Sequence, residues 1–426
     1  MAVNVAGPSL EQNYGFMRTK YGFIPRQCVN KTFWHNEHQD GSGALVPSEM
    51  VFIPKFKFDR DYVINRGLAA AADIPAALDG VDFGGFWVDK YTCSQPNATP
   101  TNPYPDVAQN AAPGIHAARS QQGVPVWDYI TFDEAKLACQ NRGIKFSSAT
   151  TGSATTTTII DTSLTATQVN FYNGCRVRFT AGLNSGAAKK VVAYDPATKT
   201  LTVDSAFPSI TSLGDNYDLT QFHLITPFEW ASIAYLSLML GTQPHGNNNS
   251  QSGMTQAQAN GDVDYSYEKG IPNSSFLWNS IWPRILTGTG PATFAHNHHP
   301  SGVFDLNGNT WEWCDMKIGG TTDYVISEVD GDDSHPAVGK IVPNASGYIN
   351  SISTDSEMMK LTIPATGASN KTFGNDHYYV TSALRAALRG GGWSNAADAG
   401  VFGLNLVSDP GSSDRNVSFR GALSII

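Results

Sequence analysis

Cysteine thiols are the most reactive groups that this sequence carries. Its five cysteines are isolated from one another and odd in number, so they indicate neither a disulfide framework nor a structural zinc site. Ala135, Ala138 and Cys139 fall on one face of a predicted helix, which favours a core position over a nucleophile for Cys139. Buried free thiols are therefore expected throughout, at Cys28, Cys93, Cys139, Cys175 and Cys314.

One histidine cluster is the second candidate for chemistry. Imidazoles are common ligands of transition metals, and His296, His298 and His299 lie close together. They do not have the i, i+4 spacing of a helical metal site, and no carboxylate lies nearby in sequence. A surface loop, or a loop that supports the block starting at Gly302, is the favoured interpretation.

Two carboxylates, Asp305 and Glu312, look like a catalytic pair. Both, however, lie in a block rich in glycine, asparagine and tryptophan. We expect Asn307, Asn309 and Glu312 to hydrogen-bond a tight turn there, and the two tryptophans of the block to fill the core. The sequence also lacks a Gly-x-Ser-x-Gly elbow, a phosphate-binding loop and a His-Glu-x-x-His motif.

Charge narrows the class of partner. The net charge is −9 and no cluster of Lys and Arg occurs, which argues against a nucleic-acid-binding face. The densest charge run, residues 328–333, is acidic. It predicts a solvated loop, and a cation-binding loop stays open although the spacing fits no EF-hand. No apolar run is long enough to cross a bilayer, so we expect no membrane insertion.

Helix-capping residues and the alternation of apolar and polar residues predict the helices and strands that would position these groups. Strands are predicted at residues 50–58 and 86–92. Thr131 with Glu134, and Thr226 with Glu229, form capping boxes that start two helices. The second helix is predicted over residues 227–240, with its buried face at Trp230, Ala231, Ala234 and Tyr235.

Within the C-terminal forty residues, two motifs that constrain the backbone flank a segment of small and polar residues whose types look interchangeable. An Arg-Gly-Gly-Gly-Trp run at residues 389–393 supplies close backbone approach and a large apolar anchor. Ser-Phe-Arg-Gly follows at residues 418–421. Between them, residues 394–418 contain no Lys, Glu, Gln, Met or Trp. The pattern is typical of a display surface on a fixed frame.

Upstream blocks carry a family resemblance. Gly-Val-Phe-Asp-Leu-Asn-Gly-Asn-Thr-Trp-Glu-Trp at residues 302–313 resembles the signature of the formylglycine-generating-enzyme (sulfatase-modifying factor) family, a branch of the C-type lectin fold. Four further blocks match in the family's order, at residues 50–54, 86–91, 130–135 and 224–230. The resemblance implies an α+β C-type lectin fold of the formylglycine-generating-enzyme type.

Within that family, the C-terminal segment is most similar to the variable proteins of diversity-generating retroelements. Their ending has Arg-Gly-Gly-x-Trp, a patch of Asn-derived positions, Ala-Gly-Val-Phe-x-Leu-x-Leu, a second patch and Phe-Arg; here Ala-Gly-Val-Phe-Gly-Leu-Asn-Leu fills residues 399–406. In those systems adenine-directed mutagenesis of Asn codons never yields Lys, Glu, Gln, Met or Trp. The composition of residues 394–418 agrees, although a short polar loop can lack these types by chance.

The resemblance makes an oxidoreductase the alternative to a binding protein. The family's enzymes bind copper through two cysteines near the C-terminus, where this chain has Ser412, Ser413 and Asp414. Without two thiolates the copper chemistry has no ligands. We therefore expect no enzyme, no catalytic residue and no cofactor; calcium stays open, because relatives bind it through similar Asn and backbone oxygens.

The matching blocks also divide the chain. We expect an N-terminal extension over residues 1–45, which packs on the main domain or attaches it to something else. The lectin-like domain would span 46–146 and 222–426, with its variable region at 389–420. Residues 147–221 interrupt the family pattern. Their short alternating runs, at 175–180, 190–194 and 200–203, predict an inserted small all-β domain.

The function expected from the resemblance is hypervariable ligand binding, with a viral or phage-tail adhesin as the setting. The start of the sequence shows no signal-peptide pattern, so a virion surface is the expected location. The partner would be a surface protein or glycan; a homo-oligomer stays open, and a structural virion or cell-surface protein is a further alternative. The expected ligand-binding positions are Ser394, Asn395, Asp398, Asn405, Val407, Ser408, Ser412, Asp414, Arg415 and Asn416. The expected scaffold anchors are Trp311, Trp313, Arg389, Trp393, Phe419 and Arg420.

Overall fold

A computed structural model describes most of the chain. The described residues are 15–39, 41–101, 114–142, 146–152, 155–185, 187–248, 284–320, 322–332, 335–369 and 376–424. Their elements are mostly strands with a few helices, which fits the expected lectin-like fold. Three α-helices are described: α1 (Arg60–Asn65), α2 (Phe132–Gln140) and α3 (Pro227–Leu240).

One five-stranded sheet contains three strands from residues 29–89, one strand at residues 222–224 and the last described strand of the chain. Its order is β14-β23-β7-β4-β3. These strands are β3 (Val29–Asn36), β4 (Leu45–Ile53), β7 (Phe86–Asp89), β14 (Phe222–Leu224) and β23 (Gly421–Ser424). Two small two-stranded sheets accompany it, formed by β1 (Phe16–Thr19) with β2 (Gly22–Pro25) and by β5 (Phe56–Lys57) with β6 (Asp82–Phe83).

A larger, eight-stranded sheet carries the C-terminal segment. Its order is β16-β15-β20-β21-β19-β17-β18, and β22 pairs in parallel with β15. Its strands are β15 (Trp311–Ile318), β16 (Ile326–Val329), β17 (Gly347–Ile349), β18 (Gly367–Ala368), β19 (His377–Val380), β20 (Arg385–Gly390), β21 (Gly400–Leu406) and β22 (Val417–Phe419).

The main core lies between these two sheets and α3. Residues of α3 are buried around its whole circumference, together with Ile53 and Val88 of one sheet and Leu404 and Leu406 of the other. The predicted buried face of α3 is thus confirmed but incomplete. An apolar helix surrounded by two sheets has no face left for solvent.

Both capping boxes predicted from the sequence are present. Thr131 accepts from the Glu134 amide, and the Glu134 carboxylate accepts in return from the Thr131 amide at 2.8 Å. Thr226 and Glu229 do the same for α3, which ends at Gly241 with φ of 68°. These local bonds satisfy amide donors that helix starts leave unpaired. The two helices therefore begin where the sequence predicts.

Strands between residues 146 and 220 form a sheet of their own, which we call the inserted sheet. Its order is β8-β13-β10-β11-β12-β9, and its hydrophobic cluster is separate from the main core. The strands are β8 (Phe146–Ala149), β9 (Thr158–Ile160), β10 (Arg176–Phe179), β11 (Ala188–Asp195), β12 (Thr200–Val203) and β13 (Asn216–Thr220). Phe146 and Leu219 are register partners, so this segment leaves and re-enters the main body at neighbouring points.

Residues of the expected N-terminal extension take part in the main body. β3 pairs with β4 along its whole length, from Val29 with Phe52 to Asn36 with Leu45. The described part of this segment therefore packs on the main domain, which was one of the two alternatives. In the described chain, no helix has the length and apolarity to span a membrane.

Candidate functional site

The C-terminal segment starts from a buried anchor. Arg389, on β20, is fully buried and donates from Nη2 to the Leu361 carbonyl at 2.6 Å. Trp393 is 8% exposed, and its amide donates to the Asn309 carbonyl at 3.2 Å. The two residues fix the strand end and the first loop of the segment to the protein interior.

Two of the three glycines between these anchors, Gly390 and Gly391, are required by geometry. Gly390 and Gly391 have φ of 84° and 82°, a backbone region that L side chains rarely adopt. A Cβ on Gly391 would lie 2.5 Å from the Ala399 Cβ, and a Cβ on Gly392 would lie 2.2 Å from Asn416 Oδ1. The glycine run therefore lets two parts of the segment approach each other closely.

A buried ion pair holds the segment's other end. Arg420 donates to Glu312 through Nε to Oε2 at 2.5 Å and through Nη2 to Oε1 at 2.6 Å. Burial raises the pKa of Glu312, and the Arg420 charge opposes that shift. The expectation that Glu312 bonds a tight turn is wrong, because its two oxygens are occupied by an arginine distant in sequence.

The asparagines of the same block bond neighbouring loops. Asn309 accepts from the Ile285 amide at 2.9 Å and donates to the Ile285 carbonyl at 3.1 Å, and Asn307 donates to the Pro244 carbonyl at 2.9 Å. Positive φ at Asp305, Gly308 and Asn309 produces the turn that carries these buried side chains. Their role is to hold the loops beside Trp393.

The remaining scaffold residues lie in a second hydrophobic cluster, which also contains Trp127, Phe132 and Leu388. Trp313 is fully buried, and its Nε1 donates to the Ile130 carbonyl at 2.9 Å. Trp311 and Phe419 are buried in the same cluster. All six expected anchors are thus at most 8% exposed.

The ten expected variable residues differ from the anchors in exposure, since none of them is buried. Exposed side chains are those of Ser394, Val407, Ser412 and Asp414. Half-buried side chains are those of Asn395, Asp398, Asn405, Ser408, Arg415 and Asn416. The structure locates these residues, but whether they are diversified stays a prediction.

Most of the ten lie on two loops, and the second loop returns to the first. One loop joins β20 to β21, and the other joins β21 to β22. The second passes α2, where the Phe132 amide donates to the Pro410 carbonyl at 3.0 Å. It then reaches Trp311, whose amide donates to the Asn416 carbonyl at 2.8 Å. Asn416 therefore lies against Gly392, at the start of the first loop.

Three of the ten converge on one tyrosine. The Tyr379 hydroxyl donates to Asp398 Oδ2 at 3.3 Å, and the Asn395 side chain also reaches this hydroxyl. Asn405 is the register partner of Tyr379 in the neighbouring strand. Val407 and Ser408 instead lie beyond the far end of β21. Tyr379 is not among the residues predicted from the sequence, although the run of ring-bearing residues at 377–379 is typical of a strand.

The acidic run is not a solvated loop, so that prediction is wrong. Asp330 pairs with Arg176 and Asp332 with Lys189, both on the inserted sheet. Glu328 accepts from Lys136 at 3.1 Å and from Lys317 at 3.2 Å. The run lies between the inserted sheet and the main body because each of these carboxylates meets a cation there.

The cysteine thiols are buried where the structure places them. All five cysteines are buried free thiols, as predicted. Burial raises the pKa of Cys28 and of Cys175 to about 12, and it also raises that of Cys314. A buried protonated thiol is a poor nucleophile and a poor copper ligand.

The histidine cluster supports its loop, as one of the two interpretations held. Burial lowers the pKa of His296 to about 3, so this ring is neutral, and its Nδ1 accepts from the Val303 amide at 2.9 Å. Among the described residues, the carboxylates that could together hold a metal ion are Asp59, Asp61 and Asp79. The Lys20 ammonium already lies among them, 2.6 Å from Asp61 and 2.8 Å from Asp79.

Comparison with known proteins gives few matches. No protein-family model and no curated protein matches the sequence. Among solved structures, the chain is similar to Treponema denticola variable protein 1, at 14% identity over 93% of this chain and 99% of the other, with a TM-score of 0.30. It is also similar to the Major Tropism Determinant U1 Variant, at 11% identity over 93% of this chain and 72% of the other, with a TM-score of 0.28. At these values the likeness does not decide a ligand or a role for this chain.

Proposed function

We propose that this chain is a ligand-binding protein that displays diversified residues on a C-type lectin scaffold, acting as an adhesin on a virion or tail surface. One observation carries the proposal. The six anchors are buried, four of them within residues 389–420, and the ten expected variable positions of that segment are all at least partly exposed. Substitution at such positions changes the surface with little effect on the core.

Within this one segment, some residues fix the backbone and others form the exposed surface. Arg389, Trp393 and Arg420 make bonds that fix the backbone, so the path of both loops is held by residues that do not vary. A binding surface with a fixed backbone loses little conformational entropy when a ligand docks. Changes in side chain can then alter specificity without altering the fold.

The partner of such a surface would be a protein or glycan on another cell or particle. Solved structures named as a variable protein and a tropism determinant are among those similar to this chain, and the proposal does not rest on that likeness. Buried, protonated thiols give the oxidoreductase alternative no support.

Sequencing of the gene and its surroundings tests the proposal. We expect a near-copy of the stretch encoding residues 389–420, differing at adenines, and a reverse-transcriptase gene close by. Across natural isolates, changes should concentrate at the ten exposed positions and avoid Arg389, Trp393 and Arg420. Changes spread evenly over buried and exposed codons, or no near-copy at all, would remove the retroelement from the account.

A further inference from the structure

An aromatic strip lies beside the expected variable positions and belongs to none of them. It consists of Tyr348, His377 and Tyr379, and we call these three residues the ring strip. Tyr348 and His377 are register partners on β17 and β19, with ring centroids 5.2 Å apart. His377 and Tyr379 are next-but-one neighbours on β19, with centroids 4.0 Å apart. Sheet hydrogen bonds hold the three backbones, so the rings are pre-positioned.

The ring strip lies on the open part of a sheet face that is elsewhere covered. Asn405 of β21 has a register partner on each neighbouring strand. These partners are Leu388 of β20 and Tyr379 of β19. Partners of this kind project from the same side of a sheet. Leu388 is buried within the second hydrophobic cluster, whereas Asn405 and the three rings are half-exposed. The face therefore becomes accessible where the rings begin.

The charge beside the rings is negative. The Tyr379 hydroxyl donates to Asp398, and burial followed by the Asp398 charge raises the pKa of Tyr379 to about 12. A phenol that donates to a carboxylate keeps electron density on its ring, and ring faces attract cations. Among the described residues, Asp398 forms no ion pair with Lys or Arg, and the Tyr379 hydroxyl is the donor that it faces. The rings and this carboxylate together favour a cationic occupant.

We propose that the ring strip and Asp398 form a seat for a cationic side chain, arginine or lysine, of a protein ligand. The inference rests on the proposed function and deepens it by naming the ligand's chemistry. The rings supply a constant, rigid apolar surface with few rotatable bonds, as the anchors of binding surfaces commonly do. Asp398, an expected variable position, supplies the charge, so diversification there would switch the preference for a cation on or off.

Small probes test the seat without knowledge of the natural ligand. The full chain is labelled with 3-fluorotyrosine, and the 19F signals of Tyr348 and Tyr379 are assigned with single Phe variants. It is then titrated with N-acetyl-arginine amide and with N-acetyl-citrulline amide, which has the same shape without the charge. We expect both signals to move with the arginine probe, and its Kd to be at least about threefold lower than that of the citrulline probe.

Two variants separate the components of the seat. Asp398→Asn should weaken the arginine probe by at least about threefold, to the level of the citrulline probe, since it removes the charge and keeps the shape. Tyr379→Leu should abolish the shift at Tyr348, and its circular dichroism should match that of the unaltered chain. Asp204→Asn, an exposed change on the inserted sheet, should leave binding of the arginine probe unchanged.

Equal affinity for the two probes, no shift with either, or an unchanged response in Asp398→Asn would each overturn the proposed seat. None of these results touches the proposed function, which depends on where natural variation falls. Conversely, variation spread over buried codons would remove the proposed function while the probe titration still reported on the seat. The two failures are therefore distinguishable.

Discussion

Glu312 and Arg420 form a doubly hydrogen-bonded ion pair with at most 1% of either side chain exposed. The pair joins the first residues of β15 to the residue between β22 and β23. Arg420 also donates from Nη2 to the Phe304 carbonyl at 3.0 Å. The end of the displayed segment is thereby tied to the turn that carries Asn307 and Asn309.

Breaking this pair from one side should destabilise the protein strongly. Arg420→Met leaves the Glu312 carboxylate buried without its partner, and we expect a loss of about 3–5 kcal/mol in the free energy of unfolding. Adding Glu312→Gln to Arg420→Met should recover part of that loss, because no lone charge then remains. Urea unfolding measures both. In the exposed pair Lys57–Asp82, the matched change Lys57→Met should cost at most about 1 kcal/mol. Equal costs at the two pairs would show that the buried pair does not hold the segment.

The inserted sheet should be removable. Because Phe146 and Leu219 are register partners, a short Gly-Ser linker in place of residues 147–221 joins points that already lie together. Asp330 and Asp332 would lose Arg176 and Lys189 but gain water, which solvates them well. We expect a soluble protein that unfolds in one cooperative transition in thermal denaturation. An insoluble or non-cooperative product would mean that the inserted sheet is integral to the main core.

One buried carboxylate should make stability depend on pH. Burial raises the pKa of Asp376 to about 7, although the Phe402 amide donates to it at 2.6 Å. The unfolded chain has an Asp pKa near its ordinary value of about 3.9, so the folded state binds more protons between about pH 4 and 7. The stability from this group is fully present below about pH 4 and is lost as pH rises through about 7, by up to about 4 kcal/mol.

Asp376→Asn should flatten that pH dependence, because the amide cannot ionise. Denaturant unfolding at pH 4.5 and pH 8 compares the variant with the unaltered protein, and Asp204→Asn repeats the chemical change at an exposed position. We expect Asp204→Asn to keep the dependence. A slope that survives in Asp376→Asn would assign it to another group.

Sequence-based prediction succeeded where structure is determined locally. The capping boxes depend on residues three apart, and the apolar residues of α3 and the alternation at residues 200–203 also act at short range. The burial of Trp311, Trp313, Trp393 and Phe419 agrees with the tendency of large apolar side chains to lie inside a protein, whereas that of Arg389 and Arg420 does not follow from residue type.

Long-range pairing accounts for what was missed. Glu312 meets an arginine and Asp330 meets Arg176 across more than a hundred residues each, and charge alone does not say which partner is chosen. Tyr348 and Tyr379 come together through the order of strands in the sheet, which no local pattern encodes. The acidic run was therefore assigned to solvent, and the ring strip was not identified.

The central claim is that residues 389–420 separate a stable frame from a changeable surface. One panel of variants tests it most directly, by thermal unfolding and by binding to intact cells that the unaltered protein recognises. Changing Ser394, Val407, Ser412 and Asp414 together should cost only about 0.5 kcal/mol per site and abolish or redirect binding. Four exposed changes between the strands of the inserted sheet, at Val169, Leu183, Ile210 and Leu213, should leave binding intact.

In the same panel, Trp393→Ala should cost about 3–5 kcal/mol, because it removes a large buried ring. The account predicts this inverse relation between loss of stability and loss of recognition. If the four-site surface variant unfolds while Trp393→Ala stays folded, or if the surface variant binds the same cells unchanged, the assignment of frame and surface is contradicted.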